Sequence, residues 1–272
     1  MSNRTKTHYT NSLADLISAA PAIGNETIHE SCSEKYSLVS TRRVADRLIT
    51  SGWELIGGKQ GGSRIEGMQN FTRHSVLLSL PHLHDKELDV RPYISFQNAH
   101  AGRGSAQTRV GLYRGACANE LMFGTLVEVK FRARHTGNAE ESVMDAIGLV
   151  ACRMPEVLQQ AREWSKFATN SEQRIELAET GLIARFGEDR AKWAVDAQSV
   201  IHNVRRGEDQ GRDLWTTLNV IQENILRPFR KGDINEATGK RNVFRSVSAV
   251  ETLARINTAL VRKAEDIIGL IS

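Results

Sequence analysis

Residues 127–134 read Val127-Glu128-Val129-Lys130-Phe131-Arg132-Ala133-Arg134, with apolar and charged side chains alternating over four periods. Such alternation marks a half-buried strand, because successive side chains leave a strand on opposite faces. Val127, Val129, Phe131 and Ala133 are therefore assigned to a core, and Lys130, Arg132 and Arg134 to a cationic row on the reverse face. A row of this kind calls for an anion.

The same period recurs toward the N-terminus. Strand candidates are 53–56, 71–80, 91–98 and 107–116, joined by short turns containing Gly, Pro, His and Asp, as in an antiparallel meander. Phasing by apolar residues sends Val76, Leu78, Leu80, Ile94, Phe96, Val110 and Leu112 inward. The opposite phase gathers Arg73, Tyr93, Ser95, Gln97, Arg109 and Tyr113 with Lys130, Arg132 and Arg134. Cations interleaved with tyrosines neutralise phosphates and stack bases with little regard to sequence. An antiparallel sheet also ordinarily keeps one polar face in water, so both readings stay open here. Between the first two strands, residues 57–64 carry four glycines with Lys59 and Arg64, and are expected to form a flexible basic loop or hairpin tip.

After Asn138 the periodicity becomes helical and stays so. Expected helices are 139–152, 155–168, 171–186, 189–203, 212–227 and 246–270, with an earlier one after Ser40 that presents Arg42, Arg43 and Arg47. Strands first and helices second define an α+β protein: an N-terminal antiparallel meander packed on helices, then a helical C-terminal half. Residues 1–35 are expected to form a polar, partly mobile arm, 36–138 the β-rich half and 139–272 the helical half, with 36–272 one continuous domain. Residues 230–245 read as a polar insertion between two helices; its Lys240 and Arg241 join the expected phosphate contacts, though a solvated loop fits equally. Trp164, Trp193 and Trp215 sit at helical spacing among apolar neighbours and are expected in the core.

Composition sets the outer bounds. The 272 residues are 40% hydrophobic and 25% charged, as in a soluble globular protein, and no apolar run approaches the ~20 residues of a membrane span. Asp15 and Pro21 interrupt the only apolar patch near the N-terminus, so the chain is expected to stay in the cytoplasm where it is made. Cys32, Cys117 and Cys152 lie far apart without CxxC spacing, which suits a reducing compartment. A net charge of +4 and pI near 9.0 are mildly basic, so the position of the charges carries the argument.

Motifs with defined chemistry are few. Gly58-Lys59-Gln60 and Gly239-Lys240-Arg241 do not complete a phosphate-cradling GxxxxGK[ST] loop, and Gly102-Arg103-Gly104 lacks a third glycine and a following helix. No cofactor is expected. His82-Leu83-His84-Asp85 places two imidazoles beside a carboxylate, a pattern far commoner in solvated loops than in metal sites. Cys117 is expected to be a small buried residue rather than a nucleophile.

Longer stretches carry a resemblance. Tyr93-Ile-Ser-Phe-Gln-Asn98-Ala-His100-Ala-Gly102, Arg109-Val-Gly-Leu-Tyr-Arg114, Ala116-Cys117-Ala-Asn119-Glu-Leu121, Arg134-His135-Thr136-Gly137-Asn138 and Leu214-Trp215-Thr-Thr-Leu-Asn219 together resemble a phage/plasmid-like family of unknown function. The resemblance covers residues 90–265 and leaves the first ninety outside. It implies an accessory protein of phages, prophages or plasmids and no catalytic assignment. The family's recurring polar positions map to Asn98, His100, Cys117, Asn119, His135 and Asn219. By residue chemistry, Asn98 and Asn119 are equally suited to turns that bond their own chain.

The reading that follows is a nucleic-acid-binding accessory protein, with ATP-independent single-stranded DNA binding or annealing in recombination, replication or repair, as a homo-oligomer or ring by analogy with strand-annealing proteins. An alternative from another class is an interaction factor that inhibits or diverts a host protein through the same basic face. A metal-dependent nuclease built on His82, His84, His100 or His135 is weakest, because no acidic cluster accompanies the histidines.

Overall fold

The computed structural model describes residues 7–102, 105–114, 117–122, 131–133, 138–189, 191, 195–227, 229–234, 241–247 and 250–269. At 113–114, 117–122, 131–133, 229–234, 241–244, 250, 251 and 254 the description is of the backbone alone. Seven strands build one sheet: β1 (His8–Tyr9), β2 (Glu54–Gln60), β3 (His74–Ser79), β4 (Val90–Asn98), β5 (Ala106–Arg114), β6 (Cys117–Met122) and β7 (Phe131–Ala133). Their order is β1-β2-β3-β4-β5-β6, with β7 antiparallel to β5; β2 to β5 form the expected antiparallel meander, and β1 adds to it antiparallel to β2. Helices fill the C-terminal half, so the architecture is α+β. Of the strand expected at 127–134, residues 131–133 form β7, while 127–130 and 134, with Lys130 and Arg134, lie outside the described residues.

One compact unit comprises residues 1–118 and 126–158. The apolar phase is inward as expected: Val76, Leu78, Ile94, Phe96, Val110 and Leu112 are buried, and only Leu80, past the strand end, stays partly exposed. Three helices belong to this unit. In α1 (Leu13–Ala19), capped by Ser12, and the turn after it, Leu16 and Ile23 reach the sheet at Gly58. Next comes α2 (Thr41–Thr50), capped by Ser40. Finally α3 (Ala139–Cys152) packs on β4, β5 and β7 and is tied to α2 by Arg43–Glu140 (3.4 Å) and Arg47–Glu141 (2.9 Å).

Two expectations are corrected in this unit. Gly57 and Gly58 lie inside β2 instead of a loop, beside a register shift between Leu55 and Gly57. A Cβ on Gly57, at φ +156°, would sit 2.2 Å from His8 O, and one on Gly58 would sit 2.4 Å from Ser75 O. These glycines permit close backbone approach where the strand bulges. The N-terminal segment is likewise no loose arm throughout, since Leu16, Ala20, Ala22 and Ile23 are fully buried and β1 pairs with β2.

The second unit comprises residues 119–125 and 159–272. Its helices are α5 (Ser171–Phe186), α6 (Ala197–His202), α7 (Leu214–Leu226) and α8 (Val250–Gly269), while α4 (Met154–Lys166) bridges the boundary in sequence. Asn170 and Gln173 form a capping box on α5, and Gly187 ends it at φ +82°. Gly181 brings α5 against α7 and α8, because any Cβ there would meet Ile225 and Leu260. Trp164 and Trp215 are buried as expected; Trp193 lies outside the described residues. Of the helix expected at 189–203, α6 is a six-residue piece capped by Asp196. The polar insertion expected at 230–245 contains a hairpin, β8 (Phe229–Ile234) with β9 (Arg241–Phe244). No helix among the described residues is long and apolar enough to cross a membrane.

Candidate functional site

The register sets out the polar face directly. Lys59 pairs with Ser75, Ser75 with Gln97, Gln97 with Gln107, and Gln107 with Arg132, giving a transverse polar row with a cation at each end. The neighbouring row holds Ser95 opposite Arg109, and the next holds Ser79, Tyr93 and Gly111. Arg73, Tyr93, Ser95, Gln97, Arg109 and Tyr113 thus share one phase, as the alternation predicts.

Exposure departs from the expectation. Ser75, Ser79, Ser95 and Gln97 are buried, and Tyr93 is 1% exposed. The Tyr93 ring lies over Gly111, filling the space that a Cβ would occupy 2.6 Å from its Cε1, so it is packed away from solvent and unavailable for stacking on a base. Arg109 is half-buried and donates to Gln107 Oε1 at 3.1 Å. Alternation distinguishes two faces of a strand; it does not say that the polar one meets water. The side chains of Tyr113, Arg132 and Arg241 are not described, and Lys240 lies outside the described residues.

Cations do reach solvent at one end of the face. Arg64 and Arg73 are exposed and Lys59 is half-buried, and a Gly61 N to Arg73 O bond of 2.7 Å draws the two sides of the β2–β3 connection together. Ile65, 61% exposed, stands beside Arg64.

Two of the six family-type polar positions meet in a buried knot. Asn98 Nδ2 lies 2.7 Å from Val39 O, 3.1 Å from Thr41 Oγ1 and 3.2 Å from His100 Nε2, while its Oδ1 accepts from Ala99 N. His74 Nε2 is 2.8 Å from Thr41 Oγ1, and its Nδ1 is 2.8 Å from Thr72 O. A carbonyl oxygen only accepts, so the His74 proton sits on Nδ1 and Nε2 takes the Thr41 hydroxyl proton. Burial, then the neighbouring His100, pushes the His74 pKa down to about 3, so the ring is neutral at physiological pH.

A hydroxyl bonded to a neutral imidazole has the form of a nucleophile with its base, yet Thr41, Asn98 and His100 are at most 1% exposed and no substrate reaches them. The knot instead fastens a segment: His29 N and Cys32 Sγ donate to His100 O, and Tyr36 Oη to Ala99 O. It holds residues 29–41 across the ends of β3 and β4. Asn219 is buried with Nδ2 donating to Trp215 O one turn back along α7; Cys117 and Asn119 lie on the backbone-only β6, and His135 lies outside the described residues.

The His82–Asp85 turn is engaged in local structure. Asp85 Oδ1 accepts from Glu87 N and Leu88 N, and Asp89 takes φ +49° to close the turn into β4. No metal-binding group of three or more His, Cys, Asp or Glu occurs among the described residues. Arg174 and Arg212, which belong to no motif in the sequence, line a cavity in the helical unit.

Comparison with known proteins adds the lineage. A family model described as "Domain of unknown function (DUF932)" matches residues 28–261, so the match begins well before the ninetieth residue. The chain is 30% identical to the UPF0380 protein YafZ of Escherichia coli (strain K12) over 253 residues, 92% of this chain and 89% of that one. It is 28% identical to the UPF0380 protein YfjQ of the same organism over 256 residues, 93% and 90% of the two chains. No solved structure matches it.

Proposed function

The chain belongs to the family described as a domain of unknown function, DUF932, and from that premise we propose a nucleic-acid-binding accessory protein of phages, prophages or plasmids, with ATP-independent single-stranded DNA binding or annealing as its activity. The observation that carries the reading is the basic end of the polar face, where Lys59, Arg64 and Arg73 gather at the β2–β3 connection with two of them exposed. Cations grouped on one edge neutralise successive phosphates better than the same charges scattered. The buried centre of the face confines contact to this edge and to cations beyond it, such as Arg132. With Tyr93 packed inside, affinity rests on phosphates, and binding is sequence-tolerant and steep in salt.

Fluorescence anisotropy of nuclease-treated protein with labelled single- and double-stranded oligonucleotides, across a salt series, tests this. Single strands are expected to bind tightly at low salt. An Arg64→Ala, Arg73→Ala double variant is expected to lower the salt slope by up to ~1.4, at ~0.7 for each single-strand phosphate no longer neutralised. Absence of binding at low salt overturns the proposal and directs attention to a host protein, sought by a pull-down that survives nuclease treatment.

A further inference from the structure

In the helical unit a cavity of about 210 Å³ opens between α5, α6, α7 and the segment 203–213. Its lining combines the apolar Ile201, Val204, Val220 and Ile221 with the cations Arg174 and Arg212 and the carboxylate of Asp209. Arg174 comes from the first turn of α5, and its Nε is buried with no hydrogen-bond partner. Arg212 is placed by its own backbone: its carbonyl accepts from Thr169 N at 2.9 Å and Thr169 Oγ1 at 2.6 Å, directly before the Asn170 cap of α5. Both residues thus lie at the start of α5, and burial together with the Arg212 charge lowers the Arg174 pKa from its usual value. Two cations beside one cavity repel each other.

Two of the acids nearby are already ion-paired. Asp209, buried in the cavity wall, faces Arg206 at 3.9 Å, and Arg206 also meets Glu223 at 3.2 Å, where Arg227 makes a further ion pair. Asp213 accepts from Thr216 N through Oδ1, capping α7, and keeps its single negative charge against the two cations. Arg174 and Arg212 therefore remain in excess.

We propose that this cavity binds a phosphate group between Arg174 and Arg212. A phosphate carries up to two negative charges against the two guanidinium groups, and each fork presents paired donors to its oxygens, whereas a carboxylate balances only one cation. The volume and the apolar residues of the lining suit an organic group esterified to the phosphate, so the source is either free phosphate or a small phosphomonoester. The site stands apart from the nucleic-acid reading.

Calorimetric titration and thermal melting of the full chain with sodium phosphate, adenosine 5′-monophosphate, adenosine and sodium acetate, at matched ionic strength, test it. Phosphate and the monophosphate are expected to bind and to raise the melting temperature, and adenosine and acetate to do neither. Tighter binding of the monophosphate identifies an ester site; equal binding identifies a free-phosphate site. Arg212→Gln, at an exposed position, and Arg174→Gln are each expected to weaken phosphate binding about ten-fold or more, while melting no lower than the parent in phosphate-free buffer because like-charge repulsion is relieved. Absence of binding beyond the sodium chloride control, binding of acetate as tight as phosphate, or affinities unchanged in both variants would overturn the assignment.

Discussion

His74 stands at the meeting point of the segment 29–41 with β3 and β4, and its neutrality makes the fold sensitive to acid. The folded ring takes a proton only near pH 3, whereas the unfolded chain's histidine takes one near 6.5. Between these values the unfolded state binds more protons, so stability is fully present above about pH 6.5 and falls as the pH drops toward 3, by up to ~1.4 kcal/mol per pH unit. Urea unfolding at pH 7 and pH 5 is expected to show a loss in the parent that is smaller in His74→Gln; equal losses would mean that the ring titrates normally when folded. The sequence presented His74 only as the residue after Arg73, at the start of a strand. Its hydrogen-bond partner Thr41 and its cross-strand neighbour Asn98 lie 33 and 24 positions away, and no local pattern joins them. Asn98 and His100 were legible as special through the family resemblance, and their latching role required the packed structure.

Among the elements, α7 is buried for nearly its whole length, so its last carbonyls need protein donors. Arg185 of α5 supplies one, donating to Ile225 O and to the C-cap Arg227 O at 3.0 Å, and it also donates to Arg245 O beyond β9 at 2.5 Å. A half-buried guanidinium at a helix C-terminus also answers the dipole. Arg185→Met keeps the apolar stem but removes these bonds, and is expected to cost ~1–3 kcal/mol, read as a lower denaturation midpoint with unchanged helix content. Periodicity located most strands and the helices 139–152, 171–186 and 212–227 within a few residues, because amphipathic spacing and end signals agree there. It failed where chemistry is not periodic: the glycines of β2 serve close backbone approach, and the cations of 230–245 conceal a hairpin. Arg174 in a first helical turn and Arg212 just before a helix did carry a signal, since cations oppose the dipole at those places.

For the molecule as a whole, the change of pattern at residue 138 is not the boundary of the first unit, which continues to residue 158. Helix α3 belongs with the sheet, and Val143, Ile147 and Val150 are at most 1% exposed, each contributing ~1.5–3 kcal/mol of burial. A fragment ending at 138 is therefore expected to bind a hydrophobic dye and to melt without a cooperative transition; a sharp melt equal to the full chain's would place α3 outside the unit. The α+β class was legible from the order of strands and helices, whereas the unit boundary depends on long-range packing that no composition shift records. Each unit is made of two stretches of chain, 1–118 with 126–158 and 119–125 with 159–272. A crossover between genes at any single point from codon 119 to codon 158 separates parts of at least one unit, so neither is inherited cleanly as an exchangeable cassette. Lineages that trade segments by recombination are expected to pass this gene on entire.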